Sequence, residues 1–323
     1  MPGQVPAAQT RRGPRTSGPH VFTGFLVISG PVRGSEAGSR LPPLVSHAVP
    51  PRRVPVLTAQ EFLLSLGTPC LWPAAGRQPE PGSGPALSPA RSPRVLLQVV
   101  FHDVGVLTDK LFPVVEAMQK HFSAGSGTYY SDSIFFLSVA MHQIMPKEIL
   151  RIIQLDLDLK YKTNIRELFE EFDSFLPGAV IGIAREMQPV YRHTFWQFRH
   201  ENPGTRVGGP PPEGLPGFNS GVMLLDLEAM RRSLLYGRLL EPAQVQRLAD
   251  KYHFRGHLGD QDFFTMIGME HPELFHVLDC TWNRQLCTWW RDHGYSDVFE
   301  AYFRCEGHVK IYHGNCNTPI PDA

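Results

Sequence analysis

The sequence predicts an α/β fold, a sheet with helices on both faces, over residues 94–323 of a 323-residue chain. Three observations predict it. From Arg94 onward, short apolar runs of strand length alternate with segments of helical spacing, the pattern of strands and helices packed in layers. One apolar run ends in two carboxylates, at the position where open α/β sheets place their ligands. The first 93 residues share none of this, and hold 17 of the 30 prolines.

Taken in order, residues 95–101 form an apolar run of strand length. Residues 109–122 and 132–145 have helical spacing, with Pro113 early in the first and Pro146 closing the second. Proline is tolerated in a first turn and stops a helix elsewhere. A second strand spans 149–155, and Asn164 caps a short helix over 165–172, since Asn is a favoured N-cap. Strands follow at 179–184 and 222–227, and a helix at 239–252. Residues 202–217 are a loop rich in Pro and Gly, read either as functional or as a surface insertion without a role. No internal repeat is evident.

Hydrophobic content is 42% and the net charge is zero, so nothing points to nucleic acid or a bare anionic membrane as partner. The charge is uneven. Residues 1–93 hold nine Arg, no Lys and three Glu, a net of +6. That segment buries too little apolar surface to offset chain entropy and reads as a disordered tail. Its apolar runs at 21–28 and 62–66 fall short of the roughly 20 residues a membrane helix needs. Residues 1–15 lack the apolar core of a signal peptide. The expectation is that the sequence shows neither targeting signal nor anchor.

Of five cysteines, Cys70 lies alone, while Cys280, Cys287, Cys305 and Cys316 cluster near the C-terminus. This even set suggests two disulfides formed in an oxidising compartment, with three connectivities open. The spacing favours that over structural zinc, because no pair has C-x2-C spacing.

The chemistry centres on Asp156-Leu157-Asp158, which ends the second strand. In strand geometry both carboxylates point to one side, suited to a hard divalent cation bridging a diphosphate. Alone the pattern is weak, and an acidic strand-end loop explains it as well. Further along come Asn219-Ser220-Gly221-Val222, where Gly221 permits close backbone approach, and Gly259-Asp260-Gln261-Asp262. Asp260 or Asp262 would cap a helix there, leaving Gln261 free to act. Last comes His313-Gly314-Asn315, after a strand-like run at 309–312. A lone histidine is usually structural, but one placed here can ligate a metal. Mixed imidazole and carboxylate donors suit Mn2+ better than Mg2+. Trp289 and Trp290 offer faces for sugar stacking or pack beside a disulfide. No Walker, H-E-x-x-H or nucleophile-elbow motif occurs.

These four elements, in this order, resemble the retaining glycosyltransferases of family 8. Residues 156–162, 257–264, 279–290 and 313–317 resemble most closely their xyloside xylosyltransferase branch. The resemblance covers residues 94–323 and implies a GT-A fold with a central mixed sheet. It implies UDP-xylose as donor, and as acceptor a xylose–glucose disaccharide O-linked to EGF repeats, as in Notch receptors. The product is alpha-1,3-linked with retention, made in the endoplasmic reticulum. Asp156, Asp158 and His313 correspond to manganese ligands, and Leu157, Ser220, Gly221 and Gly314 to donor contacts. Asp260 and Gln261 correspond to the reaction centre, and Leu258, Gly259, Trp290 and Asn315 to acceptor contacts. Such a domain opens with a strand and helix that hold uracil and ribose. Residues 1–93 do not resemble that unit, which is expected to be missing or replaced, leaving its neighbours short of pairing. Two functional classes follow: an active xylosyltransferase, or a variant without its base pocket that at most binds EGF repeats. A related member using UDP-glucose or UDP-galactose is a third.

Overall fold

Strand periodicity sorts the apolar side chains of the main sheet onto two faces. The computed structural model of the chain describes residues 25–29, 104–123 and 133–321. Its strands are β1 (Phe25–Ser29), β2 (Arg151–Asp156), β3 (Leu159–Tyr161), β4 (Ile181–Arg185), β5 (Phe218–Asp226), β6 (Phe275–Leu278), β7 (Arg284–Gln285) and β8 (Ile311–His313). Five form one sheet in the order β1–β2–β5–β4–β6, and the other three a small sheet in the order β3–β8–β7. The main sheet is mixed: β5 runs antiparallel to both β2 and β4, while β6 is parallel to β4.

On one face, Ile152, Ile181, Ile183, Met223 and Leu225 join the larger core. On the other, Ile153, Leu155, Ala184, Val222 and Leu224 join a second core with Leu168, Phe172, Trp282 and Ile311. Helix α1 (Val104–Phe122) joins the first core through Leu111, Val115, Met118 and Phe122. Helix α2 (Ile165–Glu170) covers the second, and the Asn164 side chain caps it as expected, accepting from Arg166 N at 2.9 Å. Gly182 is required here, since a Cβ would come within 2.9 Å of the Phe175 ring.

Several elements differ from the sequence expectation for identifiable reasons. Residues 133–140 form a 3-10 helix, followed by one α-turn at Met141–Ile144, in place of one long helix. Phe136, Leu137, Ser138, Val139 and Ala140 are all fully buried. Packing on every side therefore overrides a sequence whose aromatic and β-branched residues favour the α-helix weakly. The helix expected at 239–252 begins instead at Pro242, as α4 (Pro242–Tyr252), and Leu239 closes a separate helix, α3 (Leu234–Leu239). Pro242 lacks an N–H and takes the first-turn position that its fixed φ suits. Helix α1 begins earlier than expected, so Pro113 lies inside it rather than in its first turn.

The expected strand at 95–101 and Cys70 lie outside the described residues. Within the segment read as a tail, residues 25–29 pair antiparallel with β2, Phe25 facing Asp156 and Ser29 facing Ile152. The β2 edge thus carries a partner, where loss of an opening strand was expected to leave it bare.

Arg231 closes the turn before β2. Its guanidinium donates to the carbonyl oxygens of His142 (2.9 Å), Met145 (3.1 Å), Ile149 (3.1 Å) and Pro146 (3.2 Å). Arg231→Ala strips a charged donor from four carbonyls and is expected to destabilise the domain by about 2–3 kcal/mol. Urea denaturation checks it through a lowered midpoint with an unchanged m-value.

Candidate active site

The sheet topology brings the chemistry to one edge. The C-terminal ends of β2, β4 and β6 lie beside the N-terminal end of antiparallel β5. Asp156 ends β2, Glu186 follows β4, Asn219 is the second residue of β5, and Asn283 lies in the 3-10 turn Cys280–Asn283 just beyond β6. A bulge enlarges the site: on β4, Ile183 faces Met223 while the next residue, Ala184, faces Asn219. Ser220, Gly221 and Val222 therefore have no partner on β4. Bulges re-aim side chains and backbone groups at sites of this kind.

Asp156, Asp158 and His313 come together, with one ligand atom from each lying within 4.8 Å of the others. His313 Nε2 is 3.3 Å from Asp158 Oδ1 and 3.7 Å from Asp156 Oδ2. The expected grouping is present, but strand alternation does not produce it. Strand β2 stops at Asp156, and residues 157–158 form a bend. The bend is held by Gly314 N donating to Asp158 O at 2.8 Å and by β3 pairing with β8, Leu159 opposite His313. Burial alone would lower the His313 pKa, but the hydrogen bond to Asp158 and the nearby carboxylate charges raise it. Against a burial effect that would raise it, the same contact holds Asp158 below its usual value, while burial pushes Asp156 up.

Two backbone donors fix the orientation of the side chains behind this trio. Gly221 N donates to Asn219 Oδ1 (3.2 Å), so Asn219 Nδ2 faces Glu186 Oε2 (3.1 Å). Asn283 Nδ2 donates to the same Asn219 Oδ1 (2.9 Å), which turns Asn283 Oδ1 toward His313 Nδ1 (2.9 Å). His313 must then carry a proton on Nδ1 and turn Nε2 toward the carboxylates, the orientation that outer partners give metal-binding histidines. Ser220 N donates to Gln261 Oε1 (3.2 Å), leaving Gln261 Nε2 to donate to Glu186 Oε2 (3.2 Å). Gly221 serves a closer approach than expected: a Cβ there would sit 2.3 Å from His313 Cε1.

Helix α5 (Asp260–Glu270) carries the reaction-centre candidates in its first turn. Gly259, at φ 68°, precedes it and lies against Phe135, where a Cβ would approach within 2.9 Å. Asp260 is buried and accepts from the Ser138 and Ser220 hydroxyls. Burial raises its pKa to about 7, which those hydroxyls oppose. Asp262 accepts from Tyr191 Oη at 2.9 Å and from Leu258 N at 2.6 Å. Neither acid is the expected cap: the N-cap is Gly259, without a side-chain cap bond, and Asp262 instead ties down the residue before it, while burial raises the Asp262 pKa to about 7. Leu258 is half-buried and packs against the larger core.

Two disulfides, Cys280–Cys305 and Cys287–Cys316, select one of the three open pairings. The second flanks His313-Gly314-Asn315. Asn315 Oδ1 accepts from Leu286 N (3.0 Å) and Cys287 N (2.9 Å), so this acceptor-contact candidate also anchors the disulfide loop. Trp290 is half-buried among His193, Trp289 and Tyr295, with ring centroids 5.1–5.3 Å away. Trp289 is more exposed and stacks on His293 at 3.7 Å. Leu157 projects outward, 58% exposed.

Sequence reasoning named Asp156, Asp158, His313, Ser220, Gly221, Asp260 and Gln261, all of which lie at this edge. It assigned no role to Glu186, Asn283, Ser138 or Tyr191, and quoted Asn219 only within a motif. A signal for Glu186 existed: it follows an apolar strand, as Asp156 does. No helix among the described residues is long and apolar enough to cross a membrane.

No protein-family model matches the chain. The chain is 93% identical to human xyloside xylosyltransferase 1 over 225 residues, 70% of this chain and 57% of the relative. It is 92% identical to the mouse protein over 225 residues, with the same coverage. It therefore spans somewhat over half the length of these curated relatives. The crystal structure of mouse xyloside xylosyltransferase 1 in its apo form superposes with a TM-score of 0.68 at 91% identity, covering 71% of this chain and 80% of that one.

Two outcomes follow from the geometry. Gly221→Ala drives a methyl into the His313 ring, and Mn2+ affinity is expected to fall at least roughly tenfold without loss of fold, as read by Mn2+ electron paramagnetic resonance beside circular dichroism. Replacing Cys287 and Cys316 together by serine is expected to cost about 3–4 kcal/mol, measured by denaturant unfolding.

Proposed function

We infer the function from one plain fact of kinship: the chain belongs to the xyloside xylosyltransferase family. We propose that it is a retaining glycosyltransferase that moves xylose from UDP-xylose, in alpha-1,3 linkage, onto a xylose–glucose disaccharide O-linked to EGF repeats of the Notch type. Residues 94–323 form the transferase domain in this reading, and the secretory pathway, at the endoplasmic reticulum, is its compartment. The observation that carries the reading is the His313 imidazole, with Nε2 turned toward Asp156 and Asp158 and tied through Asn283, Asn219 and the Glu186 carboxylate to Gln261.

The donor set fits a divalent cation: two carboxylates, and an imidazole whose other nitrogen is held by Asn283. Asp156, Asp158 and His313 would hold that ion, Mn2+ by the mixed donor set, whose charge stabilises the departing diphosphate. Leu157, Ser220, Gly221 and Gly314 border the same place and would contact the donor. Gln261 orients the sugar, and its fixed amide dipole faces the charge that develops at the anomeric carbon. The acceptor hydroxyl attacks the face that the diphosphate leaves, and its proton passes to a phosphate oxygen. Asp262 is bound to Tyr191 and Leu258, and Asp260 to two serines. Neither stands free as a nucleophile, which favours same-face attack over double displacement. Trp290, Leu258, Gly259 and the amide of Asn315 would form the acceptor side.

One observation favours the second reading, a chain that keeps acceptor contacts but transfers poorly. Strand β1, at the edge beside β2, runs antiparallel to it, whereas the resemblance calls for an opening strand and helix that hold the base. Calorimetric titration of UDP with and without Mn2+ decides between them. Tight, Mn2+-dependent binding supports the enzyme, and absence of binding by folded protein supports the second reading. In transfer assays with UDP-xylose, Asp156→Asn and His313→Ala are each expected to abolish Mn2+-dependent transfer. Full activity in either overturns the ligand assignment.

A further inference from the structure

We propose that Glu186 is a positioning residue for the reaction. It is an acceptor-only carboxylate that holds the Gln261 amide directly and the His313 imidazole through Asn219 and Asn283. The inference rests on the reading of Gln261 and His313 given above and deepens it.

Glu186 follows β4 at the edge where the site lies, and it is 4% exposed. Its Oε2 accepts from Asn219 Nδ2 at 3.1 Å and from Gln261 Nε2 at 3.2 Å. Its Oε1 accepts from Gln188 N at 3.1 Å. Its own N–H donates to Gly217 O at 3.0 Å. No lysine or arginine pairs with it among the described residues. An unpaired buried carboxylate is costly, and burial raises its pKa to about 7 against the N–H donors that favour its charge. A neutral side chain of the same shape would avoid that cost.

What the neutral side chain cannot do is accept from every direction. Three N–H donors from three parts of the chain converge on Glu186, and a carboxylate presents acceptors alone. Glutamine would turn an NH2 group against Gln188 N–H or against the two amides, placing donor against donor. The amides could relieve this only by rotating. Rotation of Gln261 removes its acceptor from Ser220 N. Rotation of Asn219 removes its acceptor from Gly221 N and Asn283, and with it the acceptor that keeps the His313 proton on Nδ1. One carboxylate is thus the acceptor that both branches require once the backbone donors have oriented them, one ending at the reaction-centre amide and the other at the metal-facing imidazole.

The test compares full-length wild type with Glu186→Gln and Glu186→Asp. Three readouts are used: Mn2+ affinity by electron paramagnetic resonance, transfer kinetics, and the imidazole nitrogen shifts of His313 by NMR. In Glu186→Gln, kcat is expected to fall roughly tenfold to a hundredfold with donor KM within about threefold of wild type. Mn2+ affinity is expected to weaken about tenfold, and the His313 signal to become a mixture of tautomers. Stability is expected to stay near wild type, because a buried charge is removed. A purely structural role would instead lower stability and leave kcat, Mn2+ affinity and tautomer unchanged in the folded fraction, which overturns the proposal. If Glu186→Gln does not fold, Glu186→Asp carries the test. It keeps acceptor-only polarity at shorter reach, and a kcat loss with the Nδ1–H tautomer preserved supports the proposal, while wild-type kcat overturns it. Wild-type protein that binds neither Mn2+ nor UDP sinks the functional reading itself. Wild-type binding matched in every readout by Glu186→Gln sinks only this inference.

Discussion

The site depends on two backbone N–H groups, those of Ser220 and Gly221, which the β5 bulge releases from pairing with β4. A backbone N–H can only donate, so whatever meets it must accept. Gln261 Oε1 meets the first and Asn219 Oδ1 the second. From those two fixed points the polarity of each further amide follows, because an amide with one end assigned has its other end assigned as well. Asn283, His313 and Glu186 take the only roles left to them. In a buried network each reversed member leaves donors facing donors, at a cost of about 1–3 kcal/mol per unmet group. The ordering of the site is thus a consequence of where the sheet pairing breaks.

The trio of Asp156, Asp158 and His313 is assembled by different means. It sits where the two sheets meet, because β3 begins directly after Asp158 and pairs with the strand that ends in His313. The Cys287–Cys316 disulfide and the Asn315 side chain then pin the following residues to the β7 segment. Ligands separated by more than 150 positions in sequence are therefore tied by short-range pairing. Little is left for an ion to organise, which suits a site whose role is fixed electrostatics.

Much of this was legible in the sequence. Asp156, Asp158, Gln261 and His313 stand out because acidic, amide and imidazole groups end apolar runs, and their order along the chain resembles one family. Asn164 as a cap needed only local chemistry. Apolar spacing over 133–140 predicts an α-helix because it reports burial on one side, and residues 136–140 are buried on all sides. The split at Pro242 was available from the sequence and was outweighed by a longer periodic run. Glu186 and Asn283 were less legible for another reason. Their partners lie 33 to 75 positions away, and only the strand order brings them together. The pairing of residues 25–29 with β2 escapes because the apolar run at 21–28 stands alone in proline-rich sequence, with no neighbouring element to mark it as a strand.

The two ends of the site therefore differ in what they depend on. The metal trio, the amide chain and the disulfides are built from residues of β2 through β8. Among the described residues, the first hundred positions contribute β1, which meets β2 through backbone pairing and begins opposite Asp156. A strand in that place supports the carboxylate end of β2 by completing its hydrogen bonds, since an unpaired strand edge leaves donors and acceptors open. That support acts on the backbone and does not by itself supply a pocket for a nucleobase. On the proposed function, diphosphate-side chemistry and base-side affinity are thus separable, since the first rests on bonds made within residues 151–321.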